Sequence, residues 1–295
     1  MQFNGVLHFC ATNLQKNMAN YIEIDGRRVD FSEKVVMGIL NVTPDSFFDG
    51  GAYNSEVALR SRIEQIIGEG ATIIDLGAYS TRPGAEQVSV DEELKRLDPA
   101  MELIRRYYPN AIVSIDTFRS QVASSINRCF GPVIVNDISG GTMDSNMFNY
   151  IVDSGLPYIM MHIQGTPQTM QENPYYDNVT EQVKEFFKER ISHLDKQGYS
   201  NLILDPGFGF GKSLEHNYQL LNEMDSLLEM GFPILAGVSR KSMIYKVLDT
   251  TPHEALNGTT VLNTVALMRG ASILRVHDVK EAVECIKIIN NILNL

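Results

Sequence analysis

The feature that most constrains the fold is a strand–helix rhythm that begins at Val35 and continues to the end of the chain. Short apolar runs rich in Val and Ile alternate with longer stretches in which apolar residues recur every three or four positions. Eight such runs occur, at residues 35–42, 72–78, 112–117, 133–139, 158–163, 202–207, 233–239 and 273–279. Near-continuous apolar runs are typical of parallel strands that are buried on both faces. The repeat therefore predicts eight consecutive βα units.

Helical spacing is clearest in three of the intervening segments, at residues 57–67, 183–194 and 282–293. Eight βα units without a long linker favour an α/β fold of the (β/α)₈ TIM barrel type, and one such barrel fills a chain of 295 residues. An open, doubly wound sheet is the alternative architecture, although it more often has about five to seven strands.

The segment before the barrel divides into two parts. Residues 21–31 contain two short alternating runs joined by Asp25-Gly26, which is a typical turn dipeptide of a two-residue hairpin. We expect a short N-terminal β-hairpin that caps the barrel floor. Residues 1–20 show no clear period, and Met18 lies just before the hairpin. We interpret them as an N-terminal arm that is either disordered or an artefact of the start site, with a single domain over residues 21–295.

Composition excludes several classes of protein. Apolar stretches reach only six to eight residues, far short of the roughly 20 that span a bilayer. Without a recognisable secretion signal, we expect a cytoplasmic protein. The net charge of −11 disfavours nucleic acid or anionic membranes as partners. Cys10, Cys129 and Cys285 are odd in number and widely spaced, which indicates free thiols.

Polar residues end every predicted strand, where the active site of a (β/α)₈ barrel lies. Asn41 and the loop after it offer oxygen ligands of the kind that Mg²⁺ accepts together with phosphate oxygens. Asp116, Asn136 and Asp205 suit a flat heterocycle that carries amide and amino groups. Five basic residues could supply the local positive field that an acidic protein needs to hold an anion: Arg82, Arg240, Lys241, Arg275 and His277. The pattern implies an anionic leaving group beside a nitrogen heterocycle.

Each of these residues also has a purely structural interpretation. Asp116 or Thr117 could cap the next helix, and His277 could be a buried structural histidine. The segment 206–213 resembles a phosphate-binding P-loop, but Pro206 stands where its first Gly must fall. We expect this Gly-rich loop to place Phe210 as an aromatic wall for a second substrate.

Several long motifs in this chain resemble those of the dihydropteroate synthases, a family of pterin-binding enzymes. The motifs span residues 35–279 and are MGILNVTPDSF (37–47), DLGAYSTRPG (75–84), SIDT (114–117), NDIS (136–139), MHIQGTP (161–167), DPGFGFGK (205–212), SRK (239–241) and RVH (275–277).

This resemblance implies a role for each matching residue. The pterin would be held by Asp116, Asn136, Met161, Asp205, Lys241 and Arg275. Diphosphate would be bound by Asn41, Arg275 and His277, with Asn41 also reaching Mg²⁺, and 4-aminobenzoate by Phe47, Thr81, Pro83, Phe210, Lys241 and Ser242. Asp116, Lys241, Asp49 and Arg82 would take part in catalysis.

The family condenses 6-hydroxymethyl-7,8-dihydropterin diphosphate with 4-aminobenzoate in folate synthesis, so the resemblance also implies these two small-molecule substrates, an SN1-like loss of diphosphate, sulfonamide sensitivity and a homodimer. A pterin-dependent methyltransferase and a pterin-binding barrel without catalytic activity are the alternatives.

Overall fold

In the computed structural model, the described parts of the chain are residues 20–43, 52–79 and 88–293. Two short antiparallel strands come first, β1 (Tyr21–Ile24) and β2 (Arg27–Asp30). Asp25 and Gly26 between them have φ values of 54° and 67°. Positive φ at both central positions is the geometry of a type I′ turn, whose twist matches that of paired strands. The predicted hairpin is confirmed.

Eight parallel strands form the main sheet, in the spatial order β8-β7-β6-β5-β4-β3-β10-β9. Their bounds are β3 (Val35–Asn41), β4 (Ile73–Gly77), β5 (Ile112–Asp116), β6 (Ile134–Asp137), β7 (Tyr158–Met161), β8 (Leu202–Asp205), β9 (Leu235–Ala236) and β10 (Ile273–Val276). A bridge between Leu204 and Ile234 joins the two ends of this sheet. The nearly closed sheet confirms the barrel and excludes the open, doubly wound alternative.

Helices follow the strands around the outside of the barrel. They are α1 (Ala52–Gly68), α2 (Val90–Tyr107), α3 (Ser120–Phe130), α4 (Met147–Ser154), α5 (Val179–Asp195), α6 (Leu214–Asn222), α7 (Ser242–Tyr245), α8 (Leu256–Met268) and α9 (Val279–Leu293), with 3₁₀ helices at Met224–Met230 and Pro252–Glu254. Helix α2 begins at a Ser89 cap and has three acidic residues in its first turn, which favours its N-terminal dipole. Among the described residues, no helix is both long enough and apolar enough to cross a bilayer.

The floor of the barrel is a separate apolar cluster that includes the hairpin. Ile22, Ile24 and Phe31 pack there against one inward-facing residue from nearly every strand: Met37, Ile73, Ile134, Ile159, Ile203, Leu235 and Ile273. The hairpin therefore caps the barrel floor, as the sequence predicts. Residues 1–19 of the expected N-terminal arm lie outside the described residues. Its last residue, Asn20, lies directly before β1, and its carbonyl oxygen accepts the backbone N–H of Phe31.

Candidate active site

The site lies one layer above the apolar floor. Side chains two residues apart on a strand point to the same face of the sheet. Five floor residues are followed two positions later by a polar or polarisable residue, which places these five side chains over the floor: Asp75, Asn136, Met161, Asp205 and Arg275. In the next layer Asn41 lies beside Gly77, and Gly77 lies beside Asp116. The register of the sheet thus brings six of the predicted site residues together.

Arg275 is the electrostatic centre of this layer. Its guanidinium group donates to the Asp75 carboxylate at 2.6 Å and to the Asp116 carboxylate at 2.7 Å. The amide of Asn136 donates to Asp75 from the other side at 3.2 Å. Because Asp75 is fully buried, it acts on any ligand only through Arg275 and Asn136.

Two carboxyl groups of the site, those of Asp116 and Asp205, have raised pKa values. Burial raises the pKa of Asp116 to about 7, and the charge of Arg275 opposes this rise. Burial also raises the pKa of Asp205, with the positive charge of Lys241 acting in the opposite direction. Asp205 accepts a hydrogen bond from the backbone N–H of Gly207 at 2.7 Å. Buried carboxylates with raised pKa values beside a specific charged partner are typical of functional sites.

Lys241 approaches the layer from the start of α7. Its ammonium group donates to the carbonyl oxygen of Phe208 and lies 4.7 Å from the centre of the Phe210 ring. Burial lowers the pKa of Lys241 to about 8, and Asp205 works against that shift. The Gly-rich loop therefore places Phe210 beside Lys241, and Ser242 follows directly in the first turn of α7.

Met161 provides an apolar wall on one side of the site. It belongs to a small cluster at the strand ends with Ile138, Ile163 and Met170, against which Phe118 and Phe210 pack. A flat heterocycle needs apolar contact on its faces and hydrogen-bonding groups at its edge. The Met161 cluster and the carboxylate layer supply these two kinds of contact.

Asn41 and His277, two of the residues predicted to bind the diphosphate, lie at the ends of the neighbouring strands β3 and β10. His277 lies with its Nδ1 atom 3.0 Å from the hydroxyl of Ser239, which also accepts the backbone N–H of His277. The pKa of His277 is lowered to about 4, mainly by burial and secondly by the charge of Arg275. The imidazole is therefore neutral near pH 7 and offers a hydrogen bond to an anion rather than a charge.

Arg240 does not contribute to the positive field expected from the sequence. Its guanidinium group makes two hydrogen bonds of 2.8 Å to Asp278 and also donates to the carbonyl oxygens of Pro252 and His253. Its backbone φ is 55°, in the left-handed region. Arg240 holds the segment after α7 in place.

Five predicted site residues lie outside the described residues: Phe47, Asp49, Thr81, Arg82 and Pro83. Within residues 20–43, 52–79 and 88–293, no cluster of three or more His, Cys, Asp or Glu side chains is arranged to hold a metal ion.

Comparison with known proteins identifies the kind of barrel. Residues 37–277 match the family model described as pterin binding enzyme. Dihydropteroate synthase of Escherichia coli strain K12 is 44% identical over 266 residues, which cover 90% of this chain and 93% of that protein. The chain belongs to the dihydropteroate synthase family. Members of this family are enzymes of the transferase class.

Solved structures agree with this membership. The Yersinia pestis dihydropteroate synthase in a sulfonamide drug complex superposes with a TM-score of 0.86 at 39% identity, covering 93% of this chain and 100% of that one. The Xanthomonas albilineans dihydropteroate synthase with 4-aminobenzoic acid has a TM-score of 0.83 at 34% identity, covering 93% and 99%.

Three polar residues of this dihydropteroate synthase family member were not singled out from its sequence. Asp75 accepts a hydrogen bond from Arg275, and Ser239 hydrogen-bonds to His277. Lys212 lies inside the Gly-rich loop. Asp75 could have been found from the spacing, because it follows the floor residue Ile73 by two positions. Ser239 and Lys212 carry no such signal, since both follow a strand in irregular backbone.

Proposed function

We propose that this chain condenses 6-hydroxymethyl-7,8-dihydropterin diphosphate with 4-aminobenzoate to give 7,8-dihydropteroate and diphosphate. The observation that carries the proposal is the layer of Asp75, Asn136, Asp205 and Arg275 above an apolar floor, joined through Arg275 to Asp116 in the next layer, in a member of the dihydropteroate synthase family. The layer offers the acceptors and donors that a pterin edge requires.

The pterin would lie between Met161 and the guanidinium plane of Arg275. Asp116 and Asp205 would accept hydrogen bonds from its amino and ring N–H groups, and Asn136 would serve its amide edge. Lys241 would donate to a pterin carbonyl or ring nitrogen from the side of Phe208. An ammonium or carboxylate that is already partly desolvated gains more from each such contact than it would in water.

The diphosphate would lie at the rim near Asn41, Arg275 and His277. Magnesium fits this place: the Asn41 side-chain oxygen is a hard ligand, and a Cβ on Gly77 would lie 3.3 Å from it, so the glycine leaves space around it. Mg²⁺ would be held by Asn41 and by diphosphate and water oxygens, and when bound it would neutralise negative charge on the leaving group. Calorimetry of diphosphate binding with and without Mg²⁺ tests this, because Asn41→Ala should remove the gain in affinity that the metal gives.

The reaction would begin with loss of diphosphate from the exocyclic methylene group. The negative charge of Asp116 would stabilise the cation that develops on the pterin, while Arg275 and the neutral His277 hold the departing anion. The amine of 4-aminobenzoate would then attack the methylene carbon and release one proton. We assign Asp49 and Arg82 to the same steps on the strength of the family motifs alone.

The 4-aminobenzoate would bind between the Phe210 ring and Ser242, with Lys241 near its carboxylate. Phe47, Thr81 and Pro83 would complete this pocket from the two loops after β3 and β4. Sulfonamides should compete with 4-aminobenzoate here, in line with the sulfonamide complex of the Yersinia pestis relative.

A homodimer is also part of the proposal. Helices α8 and α9 pack against each other and leave four large apolar side chains exposed, at Val261, Met268, Ile288 and Ile292. Exposed apolar side chains on two neighbouring helices favour association of two copies. Cys129 and Cys285 are unpaired thiols, which suits a reducing compartment such as the cytoplasm.

The decisive experiment mixes the purified full chain with both substrates and Mg²⁺ and measures diphosphate and dihydropteroate by chromatography. We expect equal amounts of both products, with most activity lost in Lys241→Ala and retained in Lys246→Ala, an exposed lysine one turn further along. Pterin binding without either product would instead indicate a barrel that binds pterin but has no catalytic activity.

A further inference from the structure

Lys212 is a buried lysine for which the proposed reaction has no use. Its side chain is only 3% exposed, although lysine is among the residues least often buried without a partner. The ammonium group donates to the carbonyl oxygens of Gly207 and Phe210 at 2.9 and 3.1 Å, and it lies 2.9 Å from Nδ1 of His162. An ammonium group has three donors, and all three are used.

His162 is matched to this arrangement. The pKa of His162 lies well below its usual value, mainly because the ring is buried and secondly because of the charge of Lys212, so the ring is neutral. A neutral ring with its proton on Nε2 leaves the Nδ1 lone pair free to accept from Lys212. Burial lowers the pKa of Lys212 to about 7, while Asp205 favours its charged form.

The loop around Lys212 cannot keep its shape by apolar packing alone. Gly207, Gly209 and Gly211 all have positive φ, between 60° and 81°. A Cβ on Gly207 would lie 1.9 Å from the carbonyl oxygen of His162, so the backbone passes too close to β7 for any side chain. Glycine loses more conformational freedom on folding than any other residue, so this loop needs a specific anchor.

The outer side of the same loop holds Lys241. The carbonyl group of Phe208 and the ring of Phe210 both contact the Lys241 ammonium group, and Phe208 lies between the two carbonyl groups that Lys212 binds. One lysine therefore fixes the loop from inside, and the loop fixes the other lysine at the site.

We propose that Lys212 is a positioning residue that orders the 207–211 loop and, through it, sets Phe210 and Lys241 for the second substrate. The inference rests on the proposed function, because Phe210 and Lys241 are taken to bind 4-aminobenzoate. Lys241 is also assigned to the pterin, but the pterin contacts from Asp116, Asn136 and Arg275 come from other strands and do not depend on the loop, so the pterin should lose less affinity than 4-aminobenzoate.

The test uses Lys212→Met, which keeps the length of the side chain and removes its donors. We expect the KM for 4-aminobenzoate to rise about 10-fold or more, the size typical of losing a supporting contact, while the Kd of the pterin diphosphate changes less than about threefold. The matched control is Lys184→Met, since Lys184 is also largely buried but bonds Glu229 and Glu181 on the outside of the barrel. Its kinetic constants should equal those of the unmodified chain.

Hydrogen–deuterium exchange gives a readout that does not need catalysis. Amides of the 207–213 peptide should exchange faster in Lys212→Met than in the unmodified chain, while exchange in the rest of the barrel stays the same. In Lys184→Met the exchange of this peptide should not change. If the unmodified chain makes no dihydropteroate, the proposed function fails, yet faster exchange confined to this peptide still supports the role of Lys212. Unchanged exchange, or equal losses for both substrates, overturns it.

Chemical rescue covers the case in which Lys212→Met does not fold. Lys212→Ala lacks the atoms of n-propylammonium, so refolding with that ion should restore activity or local protection, whereas 1-propanol, with a single donor, should not. Recovery that depends on the ammonium ion supports the proposal, and absence of recovery overturns it.

Discussion

Replacing the buried carboxylate of Asp75 tests how the site is held together. Asp75→Asn preserves the shape of the side chain but removes its charge, and its new NH₂ group must face either Arg275 or Asn136, both of which are donors. Removing one partner of a buried ion pair costs about 3–5 kcal/mol. Because Arg275 keeps its contact with Asp116 at 2.7 Å, we expect the lower end, about 3 kcal/mol.

Urea unfolding measures this cost directly. The midpoint should fall while the slope of the free energy against urea concentration stays constant, since the surface exposed on unfolding is unchanged. Pterin binding should weaken about 10-fold, because Arg275 and Asn136 both lose their shared anchor. The control is Asp225→Asn, which breaks an exposed pair with Arg269 at 3.2 Å and should cost about 0.5 kcal/mol or less.

The reasoning is refuted if Asp75→Asn costs no more than Asp225→Asn and binds the pterin normally. Such a result would mean that Arg275 is positioned by packing and by Asp116 alone. Loss of pterin affinity without loss of stability would also contradict it, since the same hydrogen bonds are held responsible for both.

Three further predictions follow from the site and the outer helices. Burial raises the pKa of Asp116 to about 7, so the carboxylate becomes protonated as the pH falls through that value, and kcat/KM for the pterin diphosphate should decline below about pH 7. In Asp116→Asn this part of the pH profile should be flat. Gly77→Ala brings a methyl group to 3.3 Å from the side-chain oxygen of Asn41, which is tighter than an ordinary contact, and should weaken binding of the pterin diphosphate about 10-fold, whereas Gly68→Ala, with open space around it, should have no effect in the same titration. Val261→Glu and Ile288→Glu should each shift the sedimentation coefficient from that of a dimer to that of a monomer. An unmodified chain that sediments as a monomer would contradict the proposed dimer.

The eight strands and the hairpin could be predicted because hydrophobic periodicity and turn chemistry act locally. The alternation of side chains along parallel strands then fixed which residues face the barrel axis. Asn136, Asp205 and Arg275 were found from sequence because they stand near the ends of predicted strands, whereas Asp75 could have been found from the alternation. Strand ends were predicted one to three residues too long, because β-branched residues continue past the last paired position, as at Val42 and Ile138.

Side-chain partners that are distant in sequence could not be predicted in this way. Arg240 and Lys241 are adjacent in the same motif, but Arg240 turns outward to Asp278 and Lys241 turns inward to Phe208. Residue type gives both a positive charge, and only the backbone conformation at Arg240 separates them. His277 likewise loses its expected charge through burial and the nearby charge of Arg275.

The charges that face the barrel axis fit the proposed order of steps. Asp116 lies beside Arg275, and its ionisation adds one negative charge to the part of the site where the pterin would bind. Pterin N–H groups that donate to Asp116 would favour its ionised form, so this charge would be present when the substrate is bound. A fixed negative charge in a partly desolvated site stabilises a cation that forms beside it. The layer is therefore better suited to a pterin that becomes positive before the amine attacks than to one that stays neutral throughout.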